Sequence, residues 1–258
     1  MSDGGFFDFT ALIKNFDEEI NNEKELDERI EKVANGEPLQ YVIGYAFFVN
    51  GRYKVSPSVL IPRQETEELA VSTMTRIVKM YGRDPKITIV DVGTGSGILA
   101  IYLKEYFPNA RVVGIDISND ALKIAQENAK IHNVNVEFIQ GNMLDCFEDK
   151  IDVIISNPPY IASEETVSEQ ALKYEPHLAL FASPSTKYYE EILTHLDQMN
   201  DEFFIAFEIG EDMEDSLSQI LETKYKGLGY IFREDIYMKT RYLFIMRRKD
   251  LEQYAFEA

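Results

Sequence analysis

Between residues 86 and 97 the chain reads Lys86-Ile87-Thr88-Ile89-Val90-Asp91-Val92-Gly93-Thr94-Gly95-Ser96-Gly97. A β-branched run gives way to three glycines, each separated from the next by one residue. Glycine lets a backbone turn sharply and approach a ligand closely. The residues after Gly97 read as a helix to Phe107, and the first turn of a helix leaves its N–H groups without partners in the helix. The stretch predicts a strand, a tight turn with room for a ligand, and a helix.

Working outward, the same alternation continues. Strands are expected over 86–91, 111–116, 136–140, 151–156 and 203–209, and helices over 97–107, 119–132, 187–199 and 213–224. Alternating strands and helices imply a parallel sheet covered on both faces. Two closing strands, 230–237 and 242–247, have no helix between them and are expected to form an antiparallel hairpin at one edge. The sum is an α/β, Rossmann-like fold with a seven-stranded mixed sheet. Upstream, Phe9, Leu12, Ile13, Phe16, Ile20, Leu26, Ile30 and Val33 recur at helical spacing until Gly36 and Pro38. Asn50-Gly51 between two β-rich runs predicts a hairpin, and a further helix is expected from about Thr66 to residue 81. The expected division is a helical cap over 1–36, a β-hairpin linker over 37–65 and the main domain over 66–258.

The chain has 258 residues, 45% of them hydrophobic, with 16 Phe and 15 Tyr. That is enough for a large core with a strong aromatic share. The single cysteine, Cys146, forbids an intrachain disulfide and reads as a buried small residue. No signal-peptide pattern and no membrane-length apolar run are visible, so a cytoplasmic protein is expected. The formal net charge of −19 works against phosphate neutralisation, so stable nucleic-acid binding is not expected. His132, His177 and His195 have no ligand spacing, and no metal site is expected.

Asp116 ends the second strand, 23 residues beyond Gly93. An acid there can accept both hydroxyls of a ribose. The spacing G-x-G-x-G differs from the dinucleotide fingerprint, and Asp91 stands two residues before the first glycine. A carboxylate repels a phosphate and attracts an ammonium, so Asp91, Gly93, Thr94, Gly95, Ser96, Gly97 and Asp116 favour S-adenosyl-L-methionine as cofactor. After the third strand, Met143 can pack on an adenine ring and Asn142 can bond its amine.

The fourth strand ends in Ser156-Asn157-Pro158-Pro159-Tyr160. Two prolines fix φ at consecutive residues and remove two donors, leaving a stiff corner. In such sheets ligands bind beyond the carboxyl ends of the strands. An amide or aromatic amine is a poor nucleophile because its lone pair is delocalised. Two rigid acceptors, the Asn157 side-chain oxygen and the Pro158 carbonyl, can hold its N–H bonds while Tyr160 stacks on its plane.

The glycine loop with Asn157-Pro158-Pro159-Tyr160 resembles the class I methyltransferases that modify planar nitrogens. Four further segments resemble the HemK/PrmC-type release factor glutamine methyltransferases: Glu37-Pro38-Leu39-Gln40-Tyr41-Val42-Ile43-Gly44, Leu60-Ile61-Pro62-Arg63-Gln64-Glu65-Thr66-Glu67, Tyr174-Glu175-Pro176-His177-Leu178-Ala179-Leu180 and Phe207-Glu208-Ile209-Gly210. The resemblance covers roughly residues 37–247. It implies methyl transfer from S-adenosyl-L-methionine to the glutamine side-chain nitrogen in the Gly-Gly-Gln motif of peptide chain release factors, modulating translation termination. It also implies that Gly93 to Gly97, Asp116, Met143 and Asn157 bind the cofactor, and that Asn157, Pro158, Pro159 and Tyr160 hold the substrate. Met143 departs from the family's usual aromatic, and Phe181 to Thr186 departs from its glycine-rich stretch. Arg63 is read either as steadying a loop or as part of a surface cluster with Glu65 and Glu67, and Glu175 either as orienting the corner or as capping a turn. The alternatives are a nucleic-acid adenine or guanine amine methyltransferase and a non-catalytic binding protein.

Overall fold

The computed structural model describes residues 23–49 and 51–254. The helical pattern over Phe9 to Ile20 and the turn residue Asn50 lie outside the described residues. A two-stranded hairpin, β1 (Tyr45–Phe48) and β2 (Gly51–Lys54), precedes the main sheet. The sheet contains β3 (Thr88–Val92), β4 (Arg111–Asp116), β5 (Glu137–Gln140), β6 (Ile151–Ser156), β7 (Met199–Glu208), β8 (Leu228–Glu234) and β9 (Thr240–Arg247). Its order is β5-β4-β3-β6-β7-β9-β8. The first five strands in that order pair in parallel, and β9 runs antiparallel to both its neighbours. This is the class I methyltransferase arrangement, with the mixed edge that the missing helix between the last two strands predicted.

The central strands are apolar on both faces, as a doubly covered sheet requires. Ile89, Val90, Val113, Ile115, Val153, Ile154 and Ile155 are all buried. On one face they meet the helices Gln64–Tyr81 and Ile98–Tyr106. On the other they meet Lys187–Leu193 and Glu214–Lys224. The largest fully buried side chains are mostly aromatic, among them Tyr53, Tyr102, Tyr189, Phe107, Phe204, Phe207 and Phe244. Fully burying one such side chain stabilises by about 1.5–3 kcal/mol.

Three local readings are corrected. The helix expected over 187–199 ends at Leu193, a 3₁₀ turn spans Leu196–Gln198, and β7 already begins at Met199. Met199 pairs with Ile151 across a register shift, and Asn200 Nδ2 donates to Asp152 Oδ1 at 2.6 Å. Pairing with β6 therefore draws the polar run Asn200-Asp201-Glu202 into a strand. A short helix, Leu39–Ile43, also stands in the expected hairpin linker, closed by Gly44 at φ 83°. Cys146 is exposed rather than buried, because the turn after β5 turns Leu144 and Phe147 inward on either side of it.

A buried asparagine helps tie the hairpin to the body of the fold. Asn128 is fully buried on the helix Asn119–Ile131. Its Oδ1 accepts from Lys54 N at 2.6 Å, and its Nδ2 donates to Lys54 O at 3.0 Å and Ser96 O at 2.8 Å. One side chain thus joins the hairpin, the helix and the glycine loop, with its amide groups all satisfied.

Candidate active site

The glycine loop turns between β3 and the helix Ile98–Tyr106. Gly93 N and Thr94 N donate to Ile115 O at 2.8 and 2.9 Å, pinning the loop to the end of β4. Glycine is required most clearly at Gly97, where φ is 80° and a Cβ would stand 2.9 Å from the Ala125 Cβ. The loop therefore packs directly against the helix Asn119–Ile131, and no larger residue fits.

Asp91 lies beneath this loop, 1% exposed. Its Oδ2 accepts from Thr94 Oγ1 at 2.6 Å and from Ala100 N at 3.2 Å. It thus takes up one free N–H in the first turn of the following helix. Its Oδ1 has no hydrogen-bond partner among the described residues. Burial pushes the carboxyl up to about 7 from its ordinary 3.8, against the pull of these two donors. Asp91 is not among the residues that line the cavity above the loop.

Asp116, at the end of β4, does line that cavity. Its Oδ2 accepts from Gly95 N at 2.8 Å and its Oδ1 from Ser118 N at 2.8 Å. Burial raises its pKa, and these backbone donors oppose the rise. A carboxylate oxygen has room for a second donor, so both oxygens remain able to accept from a diol. Gly93, Thr94, Gly95 and Ser96 border the same cavity, as do Asn142 and Met143. Met143 sits at φ 47°, which brings a non-glycine residue into the left-handed region at the cavity wall.

The Asn-Pro-Pro-Tyr corner follows β6. Ser156 Oγ donates to Val92 O at 2.6 Å, tying the base of the corner to the base of the glycine loop. Asn157 and Pro159 line the cavity; between and after them Pro158 is buried and Tyr160 half-buried. Tyr160 packs on the apolar face shared with the helices Lys187–Leu193 and Glu214–Lys224, and burial together with the negative Glu208 pushes its hydroxyl up to about 12. Asn157 Nδ2 donates to Thr66 Oγ1 at 3.1 Å, and Thr66 Oγ1 donates to Glu208 Oε2 at 2.8 Å. The sequence motifs that contain Thr66 and Glu208 assign neither of them a role.

Arg63 and Glu175, 112 residues apart, form an ion pair at 2.6 Å, with the Glu175 side chain 4% exposed. Arg63 is therefore no surface cluster with Glu65 and Glu67. The pair joins the segment before the helix Gln64–Tyr81 to the one that carries Pro176, Leu178 and Ala179, all three on the cavity wall. His132 is packed rather than ligating, stacked on Tyr53 at 4.1 Å between rings. Among the described residues no acidic, histidine and cysteine cluster could hold a metal ion, and no helix is long and apolar enough to cross a membrane.

A strand-ordered sheet with this loop, this acid and this corner on one cavity defines a class I methyltransferase. A family of methyltransferase domains matches residues 83–217. Among solved structures, a ribosomal protein L11 methylase from Lactobacillus delbrueckii superimposes with a TM-score of 0.54 at 21% identity, covering 72% of this chain and 80% of that one. A methyltransferase from Pyrococcus furiosus gives a TM-score of 0.54 at 19% identity, over 86% and 97% of the two chains. These likenesses carry the fold alone. Sequence relatives are more specific. The release factor glutamine methyltransferase of Lactococcus lactis is 38% identical over 222 residues, which span 84% of this chain and 80% of that protein. The one from Bacillus cereus is 35% identical over 244 residues, 91% and 86% of the two. The chain belongs to the release factor glutamine methyltransferase family.

Proposed function

We propose that this protein methylates the side-chain amide nitrogen of the glutamine in the Gly-Gly-Gln motif of peptide chain release factors, with S-adenosyl-L-methionine as donor. The observation that carries the reading is that Asn157 and Pro159 share one cavity wall with Gly93 to Ser96 and Asp116. The residues present suit the cofactor. Asp116 offers two acceptors to a ribose, Met143 offers an apolar wall to a base, and Gly93 and Gly95 leave their Cα positions open for close approach. When bound, S-adenosyl-L-methionine supplies a methyl group activated by a sulfonium.

This chain's own residues then have one task, to make an amide nitrogen attack. Asn157 Oδ1 and the Pro158 carbonyl accept the two N–H bonds of the glutamine, which favours a pyramidal nitrogen and frees its lone pair. The two prolines hold these acceptors before substrate arrives, so little reorganisation accompanies the reaction. Tyr160 confines the amide plane from behind the corner. No strong base is required, because the nitrogen becomes acidic as the methyl arrives and its proton passes to solvent.

The test is mass spectrometry of a purified release factor after incubation with the protein and S-adenosyl-L-methionine. One added methyl on the Gly-Gly-Gln glutamine, lost with Asn157→Ala, is the expected result. No added methyl, under conditions where calorimetry detects cofactor binding, overturns the assignment.

A further inference from the structure

Asn157 is useful to an amide substrate only if its oxygen, and not its nitrogen, faces the cavity. The two ends of a carboxamide are nearly equal in size, so shape alone does not choose between them. Two groups drawn from distant parts of the chain make the choice. We infer that Thr66 and Glu208 are positioning residues that fix the orientation of the Asn157 amide. This rests on the proposed methylation of a glutamine amide.

The protons available fix the direction of each bond. An ionised Glu208 carboxylate can only accept. The Thr66 hydroxyl has one proton, and it is given to Glu208 Oε2 at 2.8 Å. The Thr66 oxygen can then only accept from Asn157, which must turn Nδ2 toward it, as found at 3.1 Å. Asn157 is also among the groups that lower the Glu208 pKa. Oδ1 is left on the cavity side. A protonated Glu208 removes the constraint. Its O–H can donate to Thr66, whose own proton is then free for Asn157 Oδ1, and the amide can present N–H groups to the substrate's N–H groups.

Thr66 and Glu208 are 5% and 2% exposed, so solvent does not compete with this relay. Glu208 is faced by Thr66 and Glu65 from the helix Gln64–Tyr81, by Arg241 and Tyr242 from β9, by Asn157 and Tyr160 from the corner, and by Tyr189, whose hydroxyl donates to the Glu208 carbonyl at 2.8 Å. Burial pushes the carboxyl up to about 7, while Thr66, Arg241 and Asn157 pull it down and Glu65 adds to the rise. The ionised and protonated forms are therefore both accessible near neutral pH.

The experiment measures kcat for release-factor methylation from pH 5.5 to 8.5 in the wild type, Thr66→Val, Thr66→Ser and Glu208→Gln. In parallel, the Asn157 side-chain amide is followed by NMR in asparagine-labelled protein. Displacing an acceptor by about 1 Å can cost roughly 100-fold. Thr66→Val is expected to lower kcat about 10- to 100-fold, with the cofactor dissociation constant within about threefold of wild type, and Thr66→Ser is expected to restore it. Wild-type kcat should fall on the acid side with an apparent pKa near 7 that Glu208→Gln abolishes, because a glutamine cannot ionise. The Asn157 amide resonance should titrate in the wild type and not in Glu208→Gln. A wild-type kcat in Thr66→Val, or an Asn157 amide that ignores pH through this range, overturns the relay. If no release factor is methylated, the functional proposal fails, and the amide titration still decides the relay.

Discussion

Replacing Asp91 with asparagine isolates the cost of a buried charge under the glycine loop. Its carboxyl stands at about 7, against 3.8 when unhindered. Between those values the folded protein keeps a proton that the unfolded chain has released. Stability is therefore complete below the unfolded value and is lost as pH rises through the folded one. The full span corresponds to roughly 4 kcal/mol, and about 2–3 kcal/mol of it falls between pH 5 and pH 8. Asparagine carries no charge at any of these values. Its oxygen can still accept from Thr94 Oγ1 and Ala100 N. Its nitrogen occupies the place of Oδ1, which has no described partner, at a pH-independent cost of about 1–3 kcal/mol. Urea unfolding of both proteins, followed by far-ultraviolet circular dichroism because the chain has no tryptophan, gives the difference at each pH. That difference is expected to move in favour of Asp91→Asn by about 2–3 kcal/mol from pH 5 to pH 8. Parallel pH curves for the two proteins would refute the reasoning, whatever their offset. The Glu208 carboxyl, also raised to about 7, contributes equally to both curves and cancels.

Two further substitutions probe the site. Gly97→Ala places a Cβ at φ 80° against Ala125, and left-handed strain plus overpacking should cost about 2–4 kcal/mol, read from the urea midpoint and partly recovered by adding Ala125→Gly. Asp116→Asn replaces a charged acceptor that already holds Gly95 N and Ser118 N, and S-adenosyl-L-methionine binding measured by calorimetry should weaken about 10- to 100-fold.

Where local pattern and tertiary pairing agree, the sequence was a sufficient guide. The strands 111–116 and 151–156 fall where their β-branched runs predict. The antiparallel edge followed from a missing helix. Where pairing overrides pattern, the reading slipped. Asn200-Asp201-Glu202 looks like a loop until Met199 is seen to pair with Ile151. Leu39–Ile43 is too short for a helical period to register. The glycine loop, Asp116 and Asn157 were legible because each sits at the end of its own strand, and topology brings strand ends together. Thr66 and Glu208 were not, because they stand 142 residues apart and neither carries a chemical signature alone. Asn128 is similar, an ordinary helical asparagine until its three hydrogen bonds are counted.

Because β9 runs against its neighbours, it offers its beginning, not its end, to the rim where the parallel strands finish. Tyr242 pairs with Glu208, and Arg241 Nη1 donates to Ile209 O at 3.2 Å. The turn that leads into β9 therefore overhangs the same rim, and Ile236, Tyr237 and Met238 stand 61%, 61% and 78% exposed on it. Asp235 anchors its base, accepting from Tyr237 N and Lys239 N. The glycine loop, Asp116 and Asn157 thus sit on the ends of parallel strands, and an exposed apolar turn borne by the antiparallel strand stands beside them on the same rim.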